Sequence, residues 1–124
     1  MNTEEVGRKL VDLCRKKNYE DAVKSLYDEE IVSVEPHAMG NMPAEMQGLE
    51  AVAGKTKWWM DNHEIHSSIV TGPFVARDKF AVCFAVDVTD RNSGQRMQVS
   101  EVGIYTVKDG KVVREEFLPL TPDK

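Results

Sequence analysis

Two long runs of alternating residues in the second half of the chain constrain the fold more than any other feature. The first run extends from Phe80 to Thr89 and the second from Val99 to Val107. A period of two is typical of strands that bury one face. Turn residues stand on both sides of the second run: RNSG at 91–94 precedes it and Asp109-Gly110 follows it. The pattern therefore predicts an antiparallel sheet whose last strand runs from Lys111 to Leu118.

The first half of the chain is predicted to be mainly helical. Apolar residues at helical spacing indicate a first helix that Thr3 caps and that ends near Lys17. Asn18 is the expected cap of a second helix, whose apolar stripe runs from Tyr19 to Leu26. The same spacing predicts a third helix from Leu49 to Asn62.

Two shorter strands complete the predicted order of elements. One runs from Ile31 to Glu35, and the other runs from Ile65 to Val70 and is closed by Gly72-Pro73. Because helices and strands do not alternate regularly, the expected class is α+β. We expect three helices packed on one face of a curved, mainly antiparallel sheet, which gives a cone with a pocket at its open end.

Composition and charge limit the partners that this chain is expected to have. Its 124 residues fit a single domain, 1–124, and 41% hydrophobic and 30% charged residues are typical of globular proteins. No apolar run approaches the ~20 residues of a membrane helix, and the first residues are too acidic for a secretory signal, so a cytoplasmic protein is expected. The net charge of −5 argues against nucleic-acid binding. Cys14 and Cys83 are too few for a disulfide framework.

An acid at a strand exit is the first candidate functional residue. Glu35 stands directly before Pro36, and we expect it to form part of the pocket wall. If the Phe84 side of its strand faces the helices, the hairpin partner directs Glu101 and Tyr105 to the same side. Two carboxyl groups in one apolar pocket tend to divide their titrations, so that one is ionised and one neutral. Glu35 and Glu101 are thus candidate catalytic acids. The alternative for each is an ion pair with Lys or Arg, or a solvated rim.

Aromatic residues and one histidine complete the predicted ligand-binding set. Trp59 lies on the apolar stripe of the third helix and can form the pocket floor, although such aromatics are usually core. Tyr105 can donate a hydrogen bond to a ligand or pack in the core. His37 can relay a proton at the pocket mouth or lie exposed in its loop. Phe84 and Phe117 are expected in the same wall.

The sequence gives no indication of a metal or a cofactor. His37, His63 and His66 do not have the spacing of metal ligands on one element. The sequence contains no GxSxG elbow and no glycine pattern for phosphate or dinucleotide binding. We therefore expect no metal site and no cofactor. The methionine-rich loop before Gly48 is either an adaptable apolar lid or a surface loop without a role.

Three segments, spread along the chain between residues 18 and 117, carry a family resemblance: NYEDAVKSLYDEEIVSVEP, QGLEAV, and VSEVGIYTVKDGKVVREEF. Together they resemble the SnoaL-like branch of the nuclear transport factor 2-like superfamily, which includes ketosteroid isomerase, scytalone dehydratase and polyketide cyclases. The resemblance implies a cystatin-like α+β cone with a pocket. It places Glu35 where ketosteroid isomerase has its general-base aspartate. That enzyme's two oxyanion donors would fall near Val11 and Gly103, whose side chains cannot donate.

Two functions of different class follow from these observations. The first is a non-catalytic protein that binds a small, largely apolar molecule in the pocket. The alternative is a cofactor-independent isomerase or lyase, in which Glu35 abstracts a proton and Glu101 or Tyr105 stabilises the developing charge. Because both oxyanion donors are missing, the first function is favoured.

The sheet face opposite the helices is also apolar. In the two long strands it carries Ala81, Cys83, Ala85, Val102 and Ile104. Because a sheet face of this kind is rarely left in water, we expect a homodimer packed through the sheet.

Overall fold

Three helices and one six-stranded sheet form the described part of the protein. The computed structural model describes residues 1–120, so the last four positions of the predicted domain, 121–124, lie outside it. In chain order the elements are α1 (Thr3–Arg15), α2 (Tyr19–Leu26), β1 (Tyr27–Val34), β2 (Glu45–Gln47), α3 (Leu49–Asn62), β3 (His63–Ala76), β4 (Lys79–Asp90), β5 (Arg96–Lys108) and β6 (Lys111–Pro119). The strand order is β2-β1-β6-β5-β4-β3. β1 and β6 run parallel and the other neighbours antiparallel, which confirms the predicted α+β class.

The start of α1 differs by one residue from the prediction. Asn2, not Thr3, is the N-cap: its side chain accepts a hydrogen bond from the Glu5 amide, and the Glu5 carboxylate accepts one from the Asn2 amide. This capping box needs an acid three positions after the cap, and Glu5 satisfies that spacing only for Asn2. Asn18 is the N-cap of α2, but its side chain makes no capping hydrogen bond. Within residues 1–120 no helix combines the length and apolar character needed to cross a bilayer.

β3 extends beyond Val70, where the sequence predicted its end, and its pairing with β4 is irregular at two places. It continues through Gly72-Pro73 to Ala76, and its register with β4 shifts once before Ser67 and again between Thr71 and Phe74. Proline has no amide hydrogen to donate, so the ladder is locally disrupted there and resumes beyond it. The short edge strand β2 was not predicted; it pairs with the end of β1.

The helices pack against one face of the sheet and bury its large apolar residues. On this inner face, Phe80 and Val88 of β4 and Tyr105 of β5 are at most 2% exposed. α1 lies so close to the sheet that a Cβ added at Gly7 would be 3.0 Å from Pro73 Cβ. Apolar burial stabilises by roughly 25 cal/mol per Å², so this inner face contributes much of the stability of the fold.

A bulge in the last hairpin decides which charged residue faces inward. Val107 pairs with Val112 across the turn, but the register then shifts, so that Thr106 pairs with Arg114 and Tyr105 with Glu115. Without the extra residue, regular pairing would set Arg114 opposite Tyr105. The bulge therefore turns Glu115 toward the helices, where it is 3% exposed.

Candidate functional site

A cavity of about 220 Å³ lies between the helices and the inner face of the sheet. Most of its wall is apolar or aromatic, with α1 and α2 on one side, α3 above, and β4, β5 and β6 opposite. Six of the residues predicted to line a pocket are in this wall: Glu35, Trp59, Phe84, Glu101, Tyr105 and Phe117. The inward direction predicted for the Phe84 side of β4 and for its hairpin partner is thus observed.

His37 is the predicted site residue that the structure does not bring to the cavity. It is exposed and does not belong to the wall. The Glu35 amide donates to the Ala44 carbonyl at 2.8 Å, which joins the two ends of the loop between them. His37 lies within this loop, whereas Met39, in the same loop, does reach the wall.

Glu35 is held by a lysine from α3. Lys55 Nζ donates to Glu35 Oε2 at 2.9 Å and to Ser33 Oγ at 2.5 Å. The Lys55 side chain is 6% exposed and the Glu35 side chain 15%. The structural alternative for Glu35, an ion pair with a basic residue, is therefore what the structure contains.

A second buried acid extends this network. The Ser33 hydroxyl donates to Glu115 Oε2 at 2.6 Å, and the Tyr27 hydroxyl donates to Glu115 Oε1. Burial raises the pKa of Glu115, and the hydrogen bonds from Ser33 and Tyr27 oppose that rise. One chain of hydrogen bonds thus joins Glu35, Lys55, Ser33, Glu115 and Tyr27 across three elements.

Glu101 has no such support. Within residues 1–120 no hydrogen bond or ion pair involves its carboxyl group. Every fully enclosed side-chain polar atom in these residues has a partner, so the unpartnered Glu101 oxygens are not fully enclosed and open to the cavity. Burial is the main cause that raises the pKa of Glu101 to about 7, and the negative charges of Glu35 and Glu115 add to it. Glu101 therefore changes its protonation state near neutral pH.

The Tyr105 ring occupies the space beside Gly103. A Cβ added at Gly103 would lie 2.8 Å from Tyr105 Cε2 and 2.9 Å from its hydroxyl oxygen. The ring stacks on Phe80, with 4.8 Å between centroids, and meets Phe117 edge-on. Burial raises the pKa of Tyr105 well above its usual value, so the hydroxyl stays protonated. The glycine thus makes room for a hydrogen-bond donor that faces the cavity.

Aromatic residues surround the α3 end of the cavity. Trp59 stacks on His63 with 4.4 Å between ring centroids, and both line the wall. The His63 Nδ1–H donates to the Trp59 carbonyl at 2.9 Å. Trp58, on another side of α3, is 37% exposed and meets the same imidazole edge-on. His63 is a wall residue that the sequence analysis did not select.

Comparison with known families identifies the fold. The sequence model of the SnoaL-like domain matches residues 1–118. The chain belongs to the SnoaL-like domain family. No protein among those with curated functions matches it.

Solved structures of similar proteins agree with this assignment. A candidate SnoaL-like polyketide cyclase from Mesorhizobium loti, also labelled a carbohydrate phosphatase, is 37% identical; the match covers 95% of this chain and 99% of that chain, with a TM-score of 0.87. A candidate isomerase from Bacillus subtilis is 23% identical, with 94% and 88% covered and a TM-score of 0.72. A nuclear transport factor 2-like protein of unknown function from Exiguobacterium sp. 255-15 is 22% identical, with 98% and 100% covered and a TM-score of 0.67. The last two show the fold alone.

The sequence analysis of this SnoaL-like domain also missed three polar residues that connect Glu35 to Tyr27 in the hydrogen-bond network: Ser33, Lys55 and Glu115. Alternation from Ile31 places Ser33 on the buried side of its strand, and Lys55 falls between Val52 and Trp59 on the stripe of α3. Those two were therefore accessible from spacing. Glu115 was not, because its direction depends on the β6 bulge. Residues 1–120 contain no cluster of three His, Cys, Asp or Glu side chains arranged to hold a metal ion.

Proposed function

We propose that this SnoaL-like domain binds a small, largely apolar molecule in its cavity without changing it chemically. One observation carries the proposal: the apolar cavity contains a carboxyl group, on Glu101, and a hydroxyl group, on Tyr105, that have no protein partner within residues 1–120. In ligand pockets that are mostly apolar, a few polar groups that face the cavity usually fix the orientation of the ligand. A ligand with one polar group and an apolar body supplies what the cavity lacks.

The dimensions of the cavity favour a compact ligand. Sites for drug-sized molecules span roughly 300–1,000 Å³, whereas this cavity measures about 220 Å³. A two-ring aromatic molecule with one short substituent suits that space. The phenyl rings of Phe84 and Phe117 in the wall offer it flat apolar contacts.

The state of Glu35 favours binding over catalysis. A general base needs a carboxylate within reach of the substrate proton, and Lys55 holds Glu35 Oε2 at 2.9 Å. The oxyanion donors that the family resemblance implied near Val11 and Gly103 are replaced by residues without donor side chains. A non-catalytic site requires neither feature.

Isothermal titration calorimetry with 1-naphthylmethanol tests the proposal. We expect saturable binding to the wild-type protein and at least about tenfold weaker binding to Val86→Trp, because the larger ring fills the cavity that Val86 lines. Lys57→Trp, on the exposed face of α3, is the control and should bind as the wild type does. Equal binding by Val86→Trp would show that the cavity is not the site.

A second candidate function is that of a cofactor-independent isomerase or lyase. It is favoured because the pKa of Glu101, about 7, lies near neutral pH. In that function Glu35 takes a proton from a ligand carbon, and Glu101 and Tyr105 hydrogen-bond to the oxygen that gains charge. Deuterium incorporation from solvent into the methyl group of 1-acetylnaphthalene, followed by NMR, separates the two functions. Catalysis requires faster incorporation with the wild type than with Glu35→Gln; binding alone leaves both at the background rate.

A further inference from the structure

We propose that the natural ligand carries a protonated amine, which pairs with the Glu101 carboxylate inside the cavity while its apolar body lies against the aromatic wall. This inference rests on the proposed function and names the chemical class of its ligand. It begins from the charges that face the cavity. Of the residues that the structure describes, three line the wall with carboxyl groups, Glu35, Glu101 and Glu115, and one lines it with an ammonium group, Lys55.

Among residues 1–120, Lys55 is the only lysine of the wall, and its ammonium group already has a carboxylate partner. Lys55 makes its ion pair with Glu35 at 2.9 Å, and the carboxyl group of Glu115 accepts hydrogen bonds from two hydroxyl groups. Glu101 is the acid of the cavity that has no cation or donor from residues 1–120. A ligand that brings a positive charge therefore meets a free partner, whereas a carboxylate ligand adds a like charge and is repelled.

The other titratable groups of the wall do not supply the missing cation. Burial raises the pKa of Cys14, to about 12, and those of Tyr19, Tyr27 and Tyr105, so these groups stay protonated and neutral. The His63 imidazole is stacked on Trp59, and its Nδ1–H is already bonded to a backbone carbonyl.

The rings beside Glu101 also suit a cation. Phe84 is the direct cross-strand neighbour of Glu101, which places the ring and the carboxyl group side by side on the inner face. Phe117 already lies 5.8 Å from the Lys55 Nζ, measured to its ring centroid, so one cation is accommodated over this aromatic wall. An ammonium group beside these rings gains cation–π attraction as well as the ion pair. The Tyr105 hydroxyl oxygen can accept a second N–H.

Three probes with the same naphthalene body test the inference by calorimetry at pH 8: 1-naphthylmethylamine, 1-naphthylmethanol and 1-naphthoate. We expect the amine to bind at least about tenfold more tightly than the alcohol, and the naphthoate at least about tenfold more weakly. The affinity for the amine should rise from pH 6 to pH 8, because Glu101, with its pKa of about 7, loses its proton over that range. The affinity for the alcohol should not rise.

Glu101→Gln isolates the carboxylate. This variant should bind the amine at least about tenfold more weakly than the wild type, without the pH dependence, and should no longer prefer the amine to the alcohol. Glu116→Gln is the matched control, because Glu116 is a 40% exposed glutamate of β6 and is not part of the wall. A pH dependence that persists in Glu101→Gln would show that another group causes it and would overturn the inference.

The outcomes distinguish this inference from the proposed function. If no probe binds to the wild-type protein, the proposed function fails and the inference fails with it. If the alcohol binds as tightly as the amine or more tightly, binding stands and the amine assignment is wrong. These comparisons use the wild-type protein alone, so they hold even if Glu101→Gln does not fold.

Discussion

Glu101, Glu35 and Glu115 are three acids in one wall with three different environments. Glu35 is paired with an ammonium group, Glu115 accepts two hydroxyl hydrogen bonds, and Glu101 has neither within residues 1–120. A buried carboxylate without a partner is costly, so the group retains its proton to a higher pH instead. This difference in support explains why burial raises the pKa of Glu101 to about 7.

The raised pKa of Glu101 predicts that stability falls as pH rises. In the unfolded chain the carboxyl group titrates near its ordinary value of 4.5, and in the folded protein it titrates at about 7. Between these values the folded state binds more protons, so the free energy of unfolding decreases with increasing pH. We expect Glu101→Gln to reduce this decrease. Glu115, whose pKa is also raised, contributes in the same direction and remains in the variant.

Urea denaturation at pH 5, 6, 7 and 8 measures this prediction. The free energy of unfolding of the wild type should decline across the series, and that of Glu101→Gln should decline less. Glu116→Gln, which removes an exposed glutamate from the same sheet, should follow the wild type. Parallel curves for the wild type and Glu101→Gln would show that Glu101 does not titrate as described.

Helix α3 and strand β1 are joined by charge as well as by apolar packing. Lys55 extends from the buried stripe of α3 to Ser33 and Glu35 near the end of β1. Removing one partner of a buried ion pair leaves the other charge uncompensated, whereas removing both charges is often nearly neutral. The tie therefore fixes the position of α3 over the cavity more than it adds net stability.

Lys55→Met tests this tie. We expect a loss of about 3 kcal/mol in the free energy of unfolding, because the Glu35 carboxylate then lies unpaired in a largely buried position. The double variant Lys55→Met/Glu35→Gln should recover most of that loss. Lys57→Met, which breaks only the exposed pair with Asp61, should change stability little. Additive effects in the double variant would contradict the description of a coupled buried pair.

The elements also show how far the sequence predicts this site. Alternation in β4 and β5 determines which side chains face the helices, so Phe84, Glu101 and Tyr105 could be placed from their spacing alone. The bulge in β6 could not be predicted, because one extra residue reverses every later side chain and the Asp109-Gly110 turn predicts regular pairing. Lys55 was passed over because charged residues are almost never buried unless paired. Its partner lies 20 positions away in the chain.

At the scale of the whole molecule, the outer face of the sheet has no cover within residues 1–120. Cross-strand pairing joins apolar residues of four strands on this face: Ile69, Phe74, Ala81, Cys83, Ala85, Val102, Ile104 and Leu118. Ile69, Phe74 and Leu118 are 68%, 56% and 44% exposed. A contiguous apolar patch across a sheet is typical of an interaction surface rather than of a face left in water.

We propose that a second copy of the chain covers this face, because one apolar patch can meet itself across a two-fold axis. Light scattering should give a dimer for the wild type at micromolar concentration. Val102→Lys, at the centre of the patch beside Cys83, should give a folded monomer, because the interface would bury an unpaired charge. Trp58→Lys, on α3, should remain dimeric and bind the cavity probes. A monomeric wild type would show that this dimer does not form. A dimer that Trp58→Lys disrupts and Val102→Lys does not would place the subunit contact on α3 rather than on the sheet.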